Sequence, residues 1–313
     1  MGCIVIQIAN RQKATTRVLF WGMDGDFSRQ VLENLIEEGV RPIGIVLPDF
    51  QEKGNPDPIV QVVPESPISP LPLKNPFMHN SIFQAAWEHQ VPLFKIRNLT
   101  APRTLQLLGE TQPTVAVVAC FPKRIPQIML DLPSAGFLNL HPSLLPSLRG
   151  PYPMFWTFRL DIQPGITVHF MDVGLDTGEI VLQNTIEFPD GISGAEADAT
   201  MARQGASLLV KACRQLANGT MVRTPQQGVS SNYPRPIPEN FSIPSSWTAR
   251  RAFNFICGTA EWDQSFLIHG PDFNIRVRSA VAYNPEITLA QSLQRDGADA
   301  WIRFANGTLH ARQ

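Results

Sequence analysis

Asn139, His141 and Asp176 place an amide, an imidazole and a carboxylate within one stretch of the chain. Asn139 and His141 are two residues apart in Phe-Leu-Asn-Leu-His, and because side chains alternate along a strand, both can face one pocket from the end of a strand. Asp176 follows after a turn-rich passage, in Gly-Leu-Asp-Thr-Gly. The three supply an uncharged hydrogen-bond donor, a group that titrates near neutral pH and an acid that can orient it. Residue types in this pattern favour acyl transfer.

This stretch resembles the folate-dependent formyltransferases, in which an Asn-x-His-Pro-Ser-Leu-Leu-Pro segment is followed by Gly-(Val/Ile)-Thr and then by Gly-Leu-Asp-Thr-Gly. The matching residues here are Asn139, His141, Ser143, Leu144, Leu145, Pro146, Arg149 and Gly150, then Gly165, Ile166 and Thr167, then Gly174 to Gly178. The similarity extends from Arg17 to about Tyr283 and is greatest to the members that act on methionyl-tRNA. It implies transfer of a formyl group from 10-formyltetrahydrofolate to a primary amine, with no metal.

The resemblance also implies roles for individual residues. Formyl transfer passes through a tetrahedral oxyanion, which the Asn139 amide and a protonated His141 can stabilise as preorganised donors. Asp176 accepts or relays the proton that the attacking amine loses. Two supporting residues are expected nearby: Thr167, which would hold a relay water, and His169, which either lines the site or is a hydrogen-bonded core histidine.

The resemblance implies that two loops hold the folate. Residues 120–126 follow a buried strand and mix apolar surface with two cations, so that the apolar groups could flank the pterin ring and the cations attract the glutamate tail. The predicted folate contacts are Phe121, Pro122, Lys123, Arg124 and Ile125, with Val173, Gly174 and Leu175 as a second wall. The predicted acceptor side comprises Ser143, Leu144, Arg149 and Gly150.

Strand and helix patterns alternate from Arg17 onward. A first strand at residues 18–22 precedes an amphipathic helix at 27–38, and a continuous apolar run at 114–120 predicts a strand buried on both faces. This order predicts an α/β fold with a mostly parallel sheet, helices on both faces and a ligand crevice at the carboxyl ends of the strands. The resemblance implies that this part is a Rossmann-like formyltransferase domain.

Four segments are predicted along the chain. They are an N-terminal extension at residues 1–16, the catalytic domain at 17–221, a Pro-rich linker at 222–244 and a small C-terminal β-rich domain at 245–313. The linker is expected because Tyr-Pro-Arg-Pro-Ile-Pro favours a stiff, extended chain. Short alternating segments and an Asn-Gly pair favour a small β-barrel after it. The resemblance implies an OB-like open barrel, here shortened as if its last strands were missing.

Length and composition agree with a soluble enzyme, and the charge does not name its partner. The chain has 313 residues, 43% of them hydrophobic, which suits two globular domains. A formal net charge of -1 gives no global attraction to nucleic acid or to an anionic membrane. The four cysteines are far apart and predict no metal site. With no signal-peptide or membrane-span pattern, the chain is expected in a reducing cytoplasm, without a membrane partner.

Three acceptors remain open at this point. Initiator methionyl-tRNA is favoured by the two-domain organisation and by the matching segments. A nucleotide-linked amino sugar is favoured by residues 48–80, which are Pro-rich and whose cations, Lys53 and Lys74, make a poor phosphate-binding patch. If water replaced the amine, the same three residues could serve a 10-formyltetrahydrofolate hydrolase. The sequence gives no indication of the oligomeric state.

Overall fold

The computed structural model of the protein describes residues 16–50, 57–62 and 81–313. The predicted N-terminal extension therefore lies outside the described residues, except for Thr16. Most of the segment 48–80 lies outside them as well.

An eight-stranded sheet forms the centre of the first part of the chain, in the order β3-β4-β2-β1-β5-β6-β7-β8. Its strands are β1 (Val18–Trp21), β2 (Gly44–Pro48), β3 (Ile59–Val62), β4 (Leu93–Ile96), β5 (Val115–Val118), β6 (Phe137–His141), β7 (Gly165–Phe170) and β8 (Ile180–Thr185). The five central neighbours β4, β2, β1, β5 and β6 run parallel. The outer strands β3, β7 and β8 pair antiparallel, which confirms a mostly parallel sheet.

Strand β3 was not expected, since the segment that contains it was interpreted as one long loop. Its four residues Ile-Val-Gln-Val pair with β4 from Ile59 to Val62. Three of the four are β-branched and apolar, which is a composition that favours pairing in a sheet. Residues 59–62 thus form an edge strand of the sheet.

Helices cover both faces of the sheet. They are α1 (Asp26–Glu37), α2 (Ile82–Glu88), α3 (Pro102–Glu110), α4 (Gln127–Leu130), α5 (Pro153–Leu160) and α6 (Gly194–Asn218). Alternation along the strands divides the core into two layers. In β1, Val18 and Phe20 pack in the layer with α1 and α6, whereas Leu19 and Trp21 pack in the layer with α3 and α4.

Helix α6 fixes the strands that carry the candidate site. It begins at a capping box, in which Ser193 Oγ accepts from Glu196 N and the Glu196 carboxylate accepts from Ser193 N. Midway along it, a Cβ added to Gly205 would meet Leu140 at 2.5 Å and Ile166 at 2.6 Å. The helix can approach β6 and β7 this closely because the position is glycine.

The C-terminal part contains two small sheets. Its elements are β9 (Ser242–Pro244), α7 (Ala249–Gly258), β10 (Phe266–His269), β11 (Asn274–Val277), β12 (Ser279–Asn284), β13 (Leu293–Asp296), β14 (Asp299–Arg303) and β15 (Thr308–Arg312). The sheets have the orders β11-β10-β9 and β12-β15-β14-β13. Most neighbours are antiparallel, consistent with the small barrel that was predicted. Helix α7 begins after Thr248, whose Oγ1 accepts from Arg251 N.

The C-terminal elements pack directly on helix α5. The ring of Phe155 lies 5.5 Å from that of Phe255 in α7 and 5.2 Å from that of Phe241. A polar contact reinforces this packing, because the Asp190 carboxylate accepts hydrogen bonds from Asn254 and from the Tyr283 hydroxyl. Among the described residues, no helix is both long enough and apolar enough to cross a membrane.

Candidate active site

Strands β6 and β7 bring the candidate catalytic side chains together. Antiparallel pairing sets Asn139 opposite His169 and His141 opposite Thr167. The Asn139 amide nitrogen lies 3.1 Å from His169 Nε2. The cross-strand register therefore decides that His169, which the sequence left between two interpretations, contacts Asn139 directly.

The hydrogen bonds of His169 fix its tautomer. Its Nδ1 lies 2.8 Å from the carbonyl oxygen of Phe170, which can only accept, so Nδ1 carries the proton. Nε2 must then accept from the Asn139 amide. Burial and, to a smaller extent, the nearby His141 lower the pKa of His169 to about 4, against the opposing effect of Asp176. A neutral His169 thus orients Asn139 and leaves its second amide hydrogen to donate to a ligand.

Asp176 lies between the two imidazoles. Its carboxylate oxygens are 3.7 Å from His141 Nδ1 and 3.7 Å from His169 Nε2. His141 Nε2 donates to the carbonyl of Leu148 at 2.9 Å, so Nδ1 is the ring nitrogen that faces the carboxylate. Gly150 N donates to Asp176 Oδ2 at 2.9 Å, the same oxygen that faces His141. The structure therefore brings Asn139, His141 and Asp176 into one cluster, as the sequence predicts.

The backbone of this cluster adopts conformations that few residues accept. Asp176 has φ of 54°, in the left-handed region that Asp tolerates better than most side chains. Gly150 has φ of 123°, and a Cβ there would lie 2.2 Å from the carbonyl oxygen of Tyr233. Glycine is needed at this position both for its φ and for the close approach of residue 233.

Thr167 and Ser143 differ from their predicted roles. The Thr167 hydroxyl donates to Ser143 O at 2.6 Å and accepts from Leu145 N and Gln183 Nε2. These bonds occupy the hydroxyl, so Thr167 holds the turn after β6 and does not hold a relay water. Ser143 is buried, and its hydroxyl donates to Ser147 O within the same turn. Ser143 therefore shapes the turn from inside and does not line the acceptor side.

The other predicted acceptor-side residues are tied to neighbouring parts of the fold. A Cβ added to Gly165 would meet the Leu144 side chain at 2.3 Å, so Leu144 packs over β7. The Arg149 guanidinium donates twice to Gln226 Oε1, at 2.6 and 3.2 Å. Gln226 was missed in the sequence because it lies in a segment interpreted as a linker, where no periodicity marks a contact.

The two predicted folate walls meet through Arg124, whose guanidinium donates to Val173 O at 2.8 Å. Beside it lies a cleft of about 640 Å³, lined by Pro58, Arg97, Asn98, Leu99, Thr100, Lys123, Arg124 and Pro126. Val173 and Leu175 are exposed large apolar side chains on the opposite loop. The cleft itself combines cations with proline and leucine side chains, which suits a flat ring that carries an anionic tail.

Individual residues of the 120–126 loop differ in their access to this cleft. Phe121 is half-buried and lies 5.0 Å from the ring of Trp21, whereas Pro122 is exposed. Ile125 is buried in the core and supports the loop from beneath, so it cannot flank a bound ring as expected. Lys123 Nζ donates to the carbonyl of Arg97 at 3.2 Å. Gly174 N donates to Asp172 Oδ1 and closes the opposite loop.

Within the part of the chain that the structure describes, no cluster of three or more His, Cys, Asp or Glu side chains could hold a metal ion. His141, His169 and Asp176 face one another, and their hydrogen bonds run to backbone groups and to Asn139.

The sequence profile of the formyl transferase family matches residues 47–213. Methionyl-tRNA formyltransferase from Ruminiclostridium cellulolyticum is 30% identical over 80% of this chain and 75% of its own length. The enzyme of that name from Pelotomaculum thermopropionicum is 31% identical over 79% and 73%. A crystal structure of an N-formyltransferase from Helicobacter canadensis, in complex with folinic acid and dTDP-3-aminofucose, shares the fold at a TM-score of 0.64 and 15% identity, covering 94% of this chain and 98% of that one. The profile covers the segments that carry Asn139, His141 and Asp176, and the chain belongs to the formyl transferase family.

Proposed function

We propose that this formyl transferase moves the formyl group of 10-formyltetrahydrofolate to the primary amine of methionyl-tRNA. The observation that carries the chemistry is the Asn139–His169 hydrogen bond beside the Asp176–His141 pair. This arrangement presents the oriented Asn139 amide, a hydrogen-bond donor, next to the Asp176 carboxylate, which can exchange a proton. The acceptor is supported by the relatives that bear the name methionyl-tRNA formyltransferase.

The first task of the site is to stabilise the oxyanion. Attack by the amine nitrogen forms a C–N bond and turns the formyl oxygen into an anion. Asn139 can donate its second amide hydrogen to that oxygen, because His169 already holds the first. A donor fixed in this way needs no reorganisation during the reaction, and one such donor is worth about 3–4 kcal/mol in the transition state.

The second task is to move one proton from the attacking amine to N10 of the folate, whose bond to the formyl carbon breaks. Asp176 can accept this proton as a carboxylate and return it, directly or through water. His141 contributes through Nδ1, since its Nε2 is occupied by Leu148 O. An imidazolium at His141 would point its second proton at Asp176, so the two groups act as one coupled pair.

The donor's folate portion is proposed to bind along the 120–126 loop and the 172–176 loop. The exposed side chains of Val173 and Leu175 offer an apolar wall for the pterin. Lys123 and Arg124 line the cleft beside it and suit the negatively charged glutamate tail. These loops supply binding, whereas Asn139 and Asp176 supply the chemistry.

A nucleotide-linked amino sugar is the second candidate acceptor. It is favoured by residues 48–80, in which Lys53 and Lys74 provide little positive charge for binding the phosphates of a tRNA acceptor arm. The N-formyltransferase of similar fold was crystallised with dTDP-3-aminofucose, a nucleotide-linked amino sugar. The primary amine is common to both candidates, so the catalytic proposal is the same for each.

The test is release of tetrahydrofolate from 10-formyltetrahydrofolate by the purified full chain. The reaction is run with initiator methionyl-tRNA, with nucleotide-linked amino sugars and without an acceptor. Release that depends on the tRNA is the expected result. Release that depends on a sugar would transfer the proposal to the second acceptor, and release without any acceptor would indicate a hydrolase. No release in any of the three reactions would contradict the proposed function.

A further inference from the structure

The Pro-rich segment 222–234 forms part of the wall around the candidate active site, although its composition favours a stiff, extended linker. At one end, Thr224 exchanges two backbone hydrogen bonds with Ile180, at 2.8 and 2.9 Å. At the other end, Ser231 O accepts from Arg149 N at 2.9 Å. The segment is therefore fixed at both ends against the strands and turns that carry the site.

Between these two anchors, the side chain of Gln226 makes four hydrogen bonds. Its oxygen accepts from Arg149 Nε at 3.2 Å and from Arg149 Nη2 at 2.6 Å. Its nitrogen donates to the carbonyl oxygens of Asp176 and Gly178, both at 2.8 Å. Both ends of the amide are occupied, so Gln226 joins the turn after β6 to the loop between β7 and β8.

These contacts hold both the backbone and the carboxylate of Asp176. Gln226 holds the carbonyl of Asp176 itself, and Gly150, the neighbour of Arg149, donates to the carboxylate at 2.9 Å. The backbone of Asp176 has φ of 54°, so its position depends on contacts beyond its own conformational preference. Gln226 therefore contacts both segments that position the carboxylate, which are the turn at Arg149 and the loop at Asp176.

The two halves of the loop are held by different residues. Arg124 donates to Val173 O in the first half, and Asp172 accepts from Gly174 N. Gln226 holds the second half, at residues 176 and 178. Removing Gln226 should therefore disturb the carboxylate and leave the proposed folate wall in place.

We propose that Gln226 is a positioning residue, which holds the Asp176 carboxylate at its present distance from the two imidazoles. This inference rests on the catalytic role proposed for Asp176. Gln226 acts through the loop and through the Arg149 turn. Because a shift of about 1 Å in a catalytic group can lower turnover about 100-fold, a side chain that fixes this loop can control the rate.

The test compares Gln226→Ala and Gln226→Met with Gln227→Ala, which changes an exposed neighbour in the same segment. Arg124→Ala serves as the contrast, since it releases the first half of the loop. Each protein is assayed for kcat and for the KM of the folate donor. Hydrogen–deuterium exchange of a peptide that covers residues 172–179 is measured in the same preparations, without substrate.

Both Gln226 variants should lose about 10- to 100-fold in kcat, with donor KM changed by less than about twofold. Exchange in residues 172–179 should be faster than in the wild type, and Gln227→Ala should match the wild type in every measurement. Arg124→Ala should instead raise donor KM. Wild-type kcat and exchange in both Gln226 variants would overturn the proposal, as would a loss of kcat with unchanged exchange. If the wild type formylated no acceptor, the proposed function would fail, and the exchange data would still decide whether Gln226 holds the loop.

Discussion

Replacing Asn139 with alanine should lower kcat by about 100- to 1000-fold, which corresponds to about 3–4 kcal/mol of transition-state stabilisation. The size of the effect follows from the structure, because His169 orients the amide and leaves one hydrogen for the oxyanion. Donor KM should change little, since this bond strengthens only as charge develops on the formyl oxygen.

The same substitution should leave the fold intact. It removes the partner of a buried His169 Nε2, which costs about 1–3 kcal/mol of the free energy of unfolding. A loss of that size lowers the melting temperature by a few degrees and keeps the protein folded at room temperature. The matched control is Asn184→Ala, which removes an exposed amide from β8, a strand of the same sheet. We expect wild-type kcat in this control.

A second substitution at the same position tests the tautomer. In Asn139→Asp, a carboxylate oxygen would replace the donor that faces His169 Nε2. The anion should favour the imidazolium and raise the pKa of His169 from its low value of about 4. NMR titration of the six histidines, with His169→Gln for assignment, measures this directly. An Asn139→Ala variant that keeps a third or more of its turnover, or an unmoved His169 pKa in Asn139→Asp, would refute the reasoning.

Three further outcomes are expected. Because burial holds the pKa of His169 near 4, the unfolded chain takes up a proton that the folded protein does not bind, so stability should fall as pH decreases from about 6.5 toward 4. Urea unfolding between pH 7 and pH 5 should show about 2 kcal/mol of this loss, and the His169→Gln variant should lack it. Gly150→Ala should destabilise the protein by more than Gly228→Ala, since both glycines have positive φ but only the first would place a Cβ against a backbone oxygen, and equal losses in thermal melts would contradict this. Partial desolvation, together with the charge of Glu261, raises the pKa of Asp198 to about 6, so the fold loses stability as pH rises from the ordinary aspartate value through 6. Asp198→Asn should therefore stabilise the protein more at pH 8 than at pH 5, by less than about 1 kcal/mol because solvent screens this side chain, and a larger gain at pH 5 in thermal melts would exclude this cause.

Local patterns in the sequence predicted much of the fold. The apolar run of β5 and the amphipathic period of α1 follow from side chains that are near neighbours in the chain. Alternation in β6 likewise predicted that Asn139 and His141 share a face. The edge strand β3 was missed because its four residues lie inside a Pro-rich segment whose composition indicates a loop.

The amino-acid sequence by itself determined which groups are present for formyl transfer and which strand carries two of them. The tertiary structure decided how those groups are used. The hydrogen bond that His169 Nε2 accepts comes from Asn139, 30 residues away, and the contact from Gln226 to Arg149 spans 77 residues. The hydrogen bonds that saturate the Thr167 hydroxyl come in the same way from a turn that packs against its strand. Spacing and periodicity report only on neighbours within an element, whereas burial and hydrogen-bond partners arise when distant segments pack together.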